Sequence, residues 1–141
     1  MISASGRPYH VHVLRMLPGE DVRDTLEKWC EERSLEAGAI VSAVGSVSKA
    51  MIRFGGKSEG TNVEGDLEVC ALSGTLSRYG MHLHIAVADP EGRMTGGHLL
   101  AGTFVRTTLE IFVQEVGGLR LLRKRDDRTG FRELFPETIV P

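Results

Sequence analysis

The 141-residue chain is 41% hydrophobic and 26% charged, with 17 basic against 19 acidic side chains and a formal net charge of −2. That length supports one domain, 1–141, with its own core, and the charge balance excludes a global attraction to a phosphate backbone. Two cysteines, Cys30 and Cys70, are too few and too widely spaced for a disulfide framework or a thiolate zinc site. "MISASGRPYH" lacks a signal-peptide pattern and no apolar run reaches the roughly 20 residues of a membrane span, so a soluble, cytoplasmic chain with no membrane partner is expected.

"HVHVLRML" alternates as a strand does, and "PGEDV" interrupts it. Asp21 is placed to cap a helix with Val22, Leu26, Trp29 and Cys30 on one face and Gly38 as terminator. "AGAIVSAVGSVSKAMIRF" predicts two short strands pivoting near Gly45. "GGKSEGTNVEGD" has no apolar pattern and predicts a mobile surface loop. Its Gly56-Lys57-Ser58 is not a phosphate loop, because Met51 stands where that motif needs a glycine. "LEVCALSGTLS", "MHLHIAVA", "TFVRTTLEIFVQEV" and "LRLLRKR" predict further strands, and residues from about 126 to 141, including "TGFRELFP", an irregular tail. The expected class is α+β, an antiparallel sheet with one main amphipathic helix packed on it.

Three of the five histidines fall in "MHLHIAVADPEGRMTGGHLLAG". Alternation puts Met81, Leu83, Ile85 and Val87 on one face of a strand and His82 and His84 on the other. In "DPEGR" the Asp-Pro start and the glycine fit a three-residue hairpin loop that pairs Asp89 with Arg93. Stepping outward from that pair opposes Ala88 to Met94, Ala86 to Gly96 and His84 to His98. Opposed residues have Cβ atoms about 4.5–5.5 Å apart, so His82, His84 and His98 form a candidate three-imidazole site for zinc or another divalent transition metal. A loop one residue shorter or longer would send His98 to the other face.

No fourth ligand is evident. Glu68, Asp89 and Glu110 are the nearby acids, and Glu68 is the candidate acid/base residue. His10 and His12 repeat the two-apart spacing without a third partner in sequence and read as structural. Arg120, Arg123, Lys124, Arg125 and Arg128 form the one basic cluster, broken by Asp126 and Asp127, and read as a solvated strand end.

The segments "GSVSKAMIRF", "GDLEVCALSGTLS", "HLHIAVADPEGRMTGGHLLAG" and "TGFRELFP" occur together in an order that resembles the plants-and-prokaryotes-conserved (PPC) domain in its stand-alone prokaryotic form. The resemblance covers nearly the whole chain. It implies an antiparallel sheet with packed helical elements, assembly as a homotrimer, and zinc coordination by His82, His84 and His98. Plant relatives carry Gly-Arg-Phe-Glu-Ile-Leu where this chain has Gly65-Asp66-Leu67-Glu68-Val69-Cys70, and they join the domain to separate DNA-binding hooks that this chain lacks. Two functions follow as expectations. One is a metal-binding trimer, a hydrolase or lyase acting on an unknown small molecule. The alternative is a DNA-associated scaffold in which the metal only stabilises.

Overall fold

The computed structural model describes residues 1–139. Strand β1 (Arg7–Met16) leads through a short turn into helix α1 (Val22–Glu32). Asp21 caps the helix as expected, its Oδ1 accepting the Asp24 N–H at 3.0 Å. Gly38 is not the terminator. The helix ends at Glu32 in a Schellman arrangement, with Leu35 N–H donating to the Cys30 carbonyl and Ser34 N–H to that of Glu31, Ser34 taking the left-handed conformation at φ 51°. A serine tolerates this position when the buried Leu35 that follows it anchors the turn.

Strand β2 (Gly38–Arg53) is one continuous element where two short strands are expected, and its register against its neighbour shifts between Gly45 and Val47. Gly45 therefore marks an irregularity within a strand, not a boundary. Strand β3 (Thr61–Ser77) begins inside the expected loop, so only the segment from 54 to 60 is non-strand there. Polar residues fill the start of β3 because most of its side chains there face solvent, which removes the apolar pattern that would have marked it. Strands β4 (Gly80–Ala88) and β5 (Met94–Leu99) form a hairpin, followed by β6 (Phe104–Gly117), β7 (Leu119–Arg125) and β8 (Arg132–Thr138). The expected irregular tail from about 126 to 141 therefore contains a strand at 132–138, with 126–131 in turns and bends and 140–141 outside the described residues. β8 pairs with β7 from Leu119↔Thr138 to Arg125↔Arg132, a ribbon whose charged and proline-containing sequence hides its pairing.

All pairings are antiparallel, in a six-stranded order β1-β6-β2-β3-β4-β5, with β7-β8 a separate two-stranded sheet. β2 bends enough to exchange neighbours along one edge. It pairs with β6 as far as Lys49 and with β5 at Ile52↔Leu99 and Arg53↔His98, so β2, β3, β4 and β5 close on themselves. Thr103, fully buried, holds this junction: its Oγ1 accepts from Met51 N–H at 3.0 Å and donates to the Leu100 carbonyl at 3.1 Å. The core inside includes Leu26, Ile52, Leu67, Leu83, Ile85, Val87 and Leu99. Each such side chain contributes about 1.5–3 kcal/mol on burial. Filling that interior forces alternate residues of β4, the histidines among them, to the outside.

Candidate metal centre

The β4–β5 turn has the expected form. Asp89 N–H donates to the Arg93 carbonyl at 3.0 Å, Gly92 N–H donates to the Asp89 carbonyl at 2.8 Å, and Gly92 sits at φ +78°, a conformation that favours glycine. The Asp89 carboxylate accepts the Arg93 Nε–H, the Arg93 main-chain N–H and the Glu91 N–H, which hold its pKa below the usual carboxylate range. Register follows from this turn: Ala88↔Met94, Ala86↔Gly96 and His84↔His98.

His82 and His84 project from the outer face of β4 opposite Thr75 and Ser73 of β3, side chains small enough to leave room for the rings. Ring centroids are 5.0 Å apart for His82 and His84, 5.0 Å for His82 and His98, and 5.7 Å for His84 and His98. One ring nitrogen from each lies within 4.8 Å of the other two. The His82 and His84 Nε2 atoms are 3.2 Å apart. Tetrahedral ligands about 2.0–2.1 Å from a zinc ion would be separated by about 3.3 Å, so this pair already has the spacing the ion requires. His98 Nδ1 is buried with no hydrogen-bond partner. Burial, with Arg53 next, pushes His98 down to about 4, and burial and then His84 lower His82 as well, so both are held as neutral imidazoles, the form that binds metals.

Arg53, opposite His98 on β2, borders an open cleft of about 490 Å³ that runs past His82 and His98. Its further walls come from α1 through Arg23 and Glu27, and from the ribbon through Arg123, Arg132 and Glu133. Main-chain bonds fix α1 here, with Val22 N–H donating to the Thr103 carbonyl and Val105 N–H to that of Glu20. The ribbon is docked by Arg123 Nη2 donating to Thr75 Oγ1 at 2.7 Å and by Ser77 Oγ donating to the Leu121 carbonyl at 2.8 Å.

Glu68 does not line this cleft. It pairs with Ala88, four residues along β4 from His84, which places it roughly 13 Å away along the strand. Asp89 is committed to its turn and Glu110 stands on β6 opposite Arg15. The acids that do face the cleft, Glu27 and Glu133, lie far from the histidines in sequence, and no local pattern marks them. A second cluster also forms: His12 Nε2 lies 2.6 Å from Glu115 Oε2, His10 Nδ1 lies 3.7 Å from the same oxygen, and the His12 ring meets Trp29 edge-on at 5.2 Å. Glu115 is the partner that sequence spacing could not supply. Asp66, the departure from the plant motif, forms an ion pair with Arg106 at 2.9 Å.

Residues 3–117 match the sequence pattern of the Plants and Prokaryotes Conserved (PCC) domain, the family abbreviated PPC above. The chain belongs to this family. Its fold superposes with a TM-score of 0.93 on a hypothetical protein from Salmonella cholerae-suis, 35% identical, covering 97% of this chain and 99% of that one. It also matches a metal-containing protein from Archaeoglobus fulgidus at a TM-score of 0.80, with 28% identity over 95% of this chain and 99% of that one. Among curated relatives, a bifunctional GlmU protein from Synechococcus is 41% identical over 98% of this chain, which spans only 23% of that protein. An AT-hook motif nuclear-localized protein from Arabidopsis thaliana is 29% identical over 77% of this chain and 30% of its own length. No helix among the described residues is long and apolar enough to cross a membrane.

Proposed function

We propose that this PCC-domain chain is a metal-binding protein in which His82, His84 and His98 hold one divalent transition ion, zinc by its ligand chemistry, in each copy of a homotrimer. The observation that carries the reading is the convergence of three ring nitrogens within 4.8 Å, with the Nδ1 atom of His98 buried and without a hydrogen-bond partner. The metal content of the Archaeoglobus relative supports it. A zinc ion in such a three-imidazole set supplies an electrophile at an open position, the chemistry of a hydrolase or lyase.

Assembly is supported by an unpartnered sheet face. Tyr9, Val11 and Val13 of β1, Val41 and Val44 of β2, and Phe112 of β6 all stand exposed, with Val13 directly opposite Phe112. A contiguous apolar face of this kind marks an interaction surface, and a second and third copy of this chain would cover it.

The DNA-associated reading has the Arabidopsis relative in its favour. The basic cluster argues against it. Arg120 pairs with Glu36 at 2.8 Å and Glu137 at 3.4 Å, Arg125 pairs with Asp127 at 3.7 Å, and Arg128 pairs with Asp126 at 2.5 Å. Arg123 is turned into the cleft. Of this cluster only Lys124, which lies over the Phe135 ring, has neither an acidic partner among the described residues nor a place in the cleft, so the cluster itself offers little free positive charge to a nucleic-acid backbone. Elemental analysis of gently purified protein tests the metal reading: one transition ion per chain is expected, and a chain that remains metal-free after incubation with zinc overturns it.

A further inference from the structure

Five arginines line the cleft beside His82 and His98, against the two acids Glu27 and Glu133. Arg78 is neutralised by Glu36 at 3.0 Å. Arg23, Arg53, Arg123 and Arg132 form no ion pair among the described residues. Arg53 and Arg132 each spend an N–H on a backbone carbonyl, those of Lys57 and Arg123, which positions their guanidinium groups without neutralising them.

Two orphaned donors sharpen this picture. Arg23 Nη1 and Arg123 Nε are buried with no hydrogen-bond partner, alongside His98 Nδ1. Leaving a buried polar group unsatisfied costs about 1–3 kcal/mol and more when it is charged, so native chains keep few of them. Here three are brought to one cleft by α1, β7 and β5, elements distant in sequence. Burial pushes the Arg123 guanidinium below its ordinary pKa, Glu133 opposes this, and the nearby Arg23 adds to it.

We propose that the cleft binds a small molecule through an oxyanion group, a carboxylate or a phosphate, held by Arg23 and Arg123 beside the three-histidine centre. The oxyanion's lone pairs accept the stranded N–H donors, and its charge offsets four unpaired guanidinium groups, the setting in which charge-assisted bonds are strongest. The arginines converge into a concavity instead of spreading over a face, which suits a compact ligand and not a nucleic-acid backbone. The proposal rests on the metal reading for the identity of the neighbouring centre, while the anion contacts rest on the arginines alone.

Calorimetric titration of zinc-loaded and chelator-stripped protein with malonate, with methyl phosphate and with uncharged malonamide tests it. Saturable binding of one anion per chain and no binding of malonamide are expected, and the anion that binds identifies the group recognised. Arg23→Gln and Arg123→Gln should each weaken that binding about tenfold or more with zinc content unchanged. Arg53→Gln provides the same readout from the cleft wall if either of these fails to fold. Binding of neither anion, or anion binding indifferent to all three substitutions, overturns the proposal. Zinc assayed on the same samples keeps the two readings apart: arginine-dependent anion binding by a chain that takes up no zinc removes the metal reading alone, and zinc uptake without anion binding removes this one alone.

Discussion

His84 stands directly opposite His98 across the β4–β5 pair, and His98 is also paired with Arg53 on β2. The position of the third imidazole is therefore fixed from both sides of its strand. Removing Gly92 shortens the loop by one residue and shifts the register, which sends His98 toward the Leu83 face. The deletion variant is expected to retain β-sheet circular dichroism and to lose zinc uptake, although no ligand has been changed. Wild-type zinc affinity in that variant would show that the turn does not set the site.

Replacing His82, His84 or His98 by alanine should weaken zinc binding by at least about 100-fold, the upper end of what loss of a supporting residue alone costs. His12→Ala should leave one zinc per chain, because the His12–Glu115 contact at 2.6 Å is a hydrogen-bonded pair packed on Trp29. Competition against a chromogenic chelator measures both. A fall in stoichiometry from two to one on removing His12 would assign metal to the second cluster instead.

Gly74 on β3 sits at φ +140°, and a Cβ there would run into the His82 carbonyl. Gly74→Ala combines a disfavoured backbone conformation with a main-chain clash, and should destabilise by about 3 kcal/mol or more. In a domain of this size that corresponds to a fall in Tm of roughly 10 °C, measurable by scanning calorimetry.

Cys30 is buried and its thiol is pushed up to about 12 from 9.0, by burial first and then by Glu27 and Glu31. Folding therefore favours the protonated thiol. The resulting stability is fully present below pH 9.0 and is lost as pH rises toward about 12. Cys30→Ala should flatten that part of the alkaline stability profile relative to wild type. At pH 8 iodoacetamide should modify the exposed Cys70 and spare Cys30, which peptide mass mapping will show.

Light scattering should return three times the 15.4 kDa chain mass. Val13→Asp combined with Val44→Asp places charges on the exposed apolar face of β1 and β2, and should yield monomers that keep the fold. A wild-type monomer at micromolar concentration would refute the assembly.

The histidine hairpin was legible in the sequence because everything that sets it is local. Alternation orients His82 and His84, and five consecutive residues, Asp89 to Arg93, determine where His98 falls. Helix α1 was legible for the same reason, through Asp21 and the spacing of Val22, Leu26 and Cys30. Its end was less so, because Ser34 takes the role that glycine usually fills. β8 was hidden because its residues pair with β7 by position while their charges suggest a solvated tail. The rest of the cleft was beyond sequence reading altogether. Arg23, Arg123 and Glu133 meet the histidines only after α1 docks at Thr103 and the ribbon docks on β3, and no periodicity records a contact made across so much chain. Glu68 is the acid/base candidate among the acids near the histidines in sequence, and strand register places it opposite Ala88 at the end of β4.

The family pattern ends at residue 117, and the β7–β8 ribbon lies wholly beyond it. Yet Arg123, Arg132 and Glu133 all come from that ribbon. One wall of the cleft is thus encoded outside the stretch that carries the imidazoles, while Arg23, Glu27 and Arg53 lie within it. Substitutions at Arg132 and Glu133 would alter the lining of the cleft at positions outside the strands that carry the histidines, whereas Arg123 also ties the ribbon to Thr75, directly opposite His82.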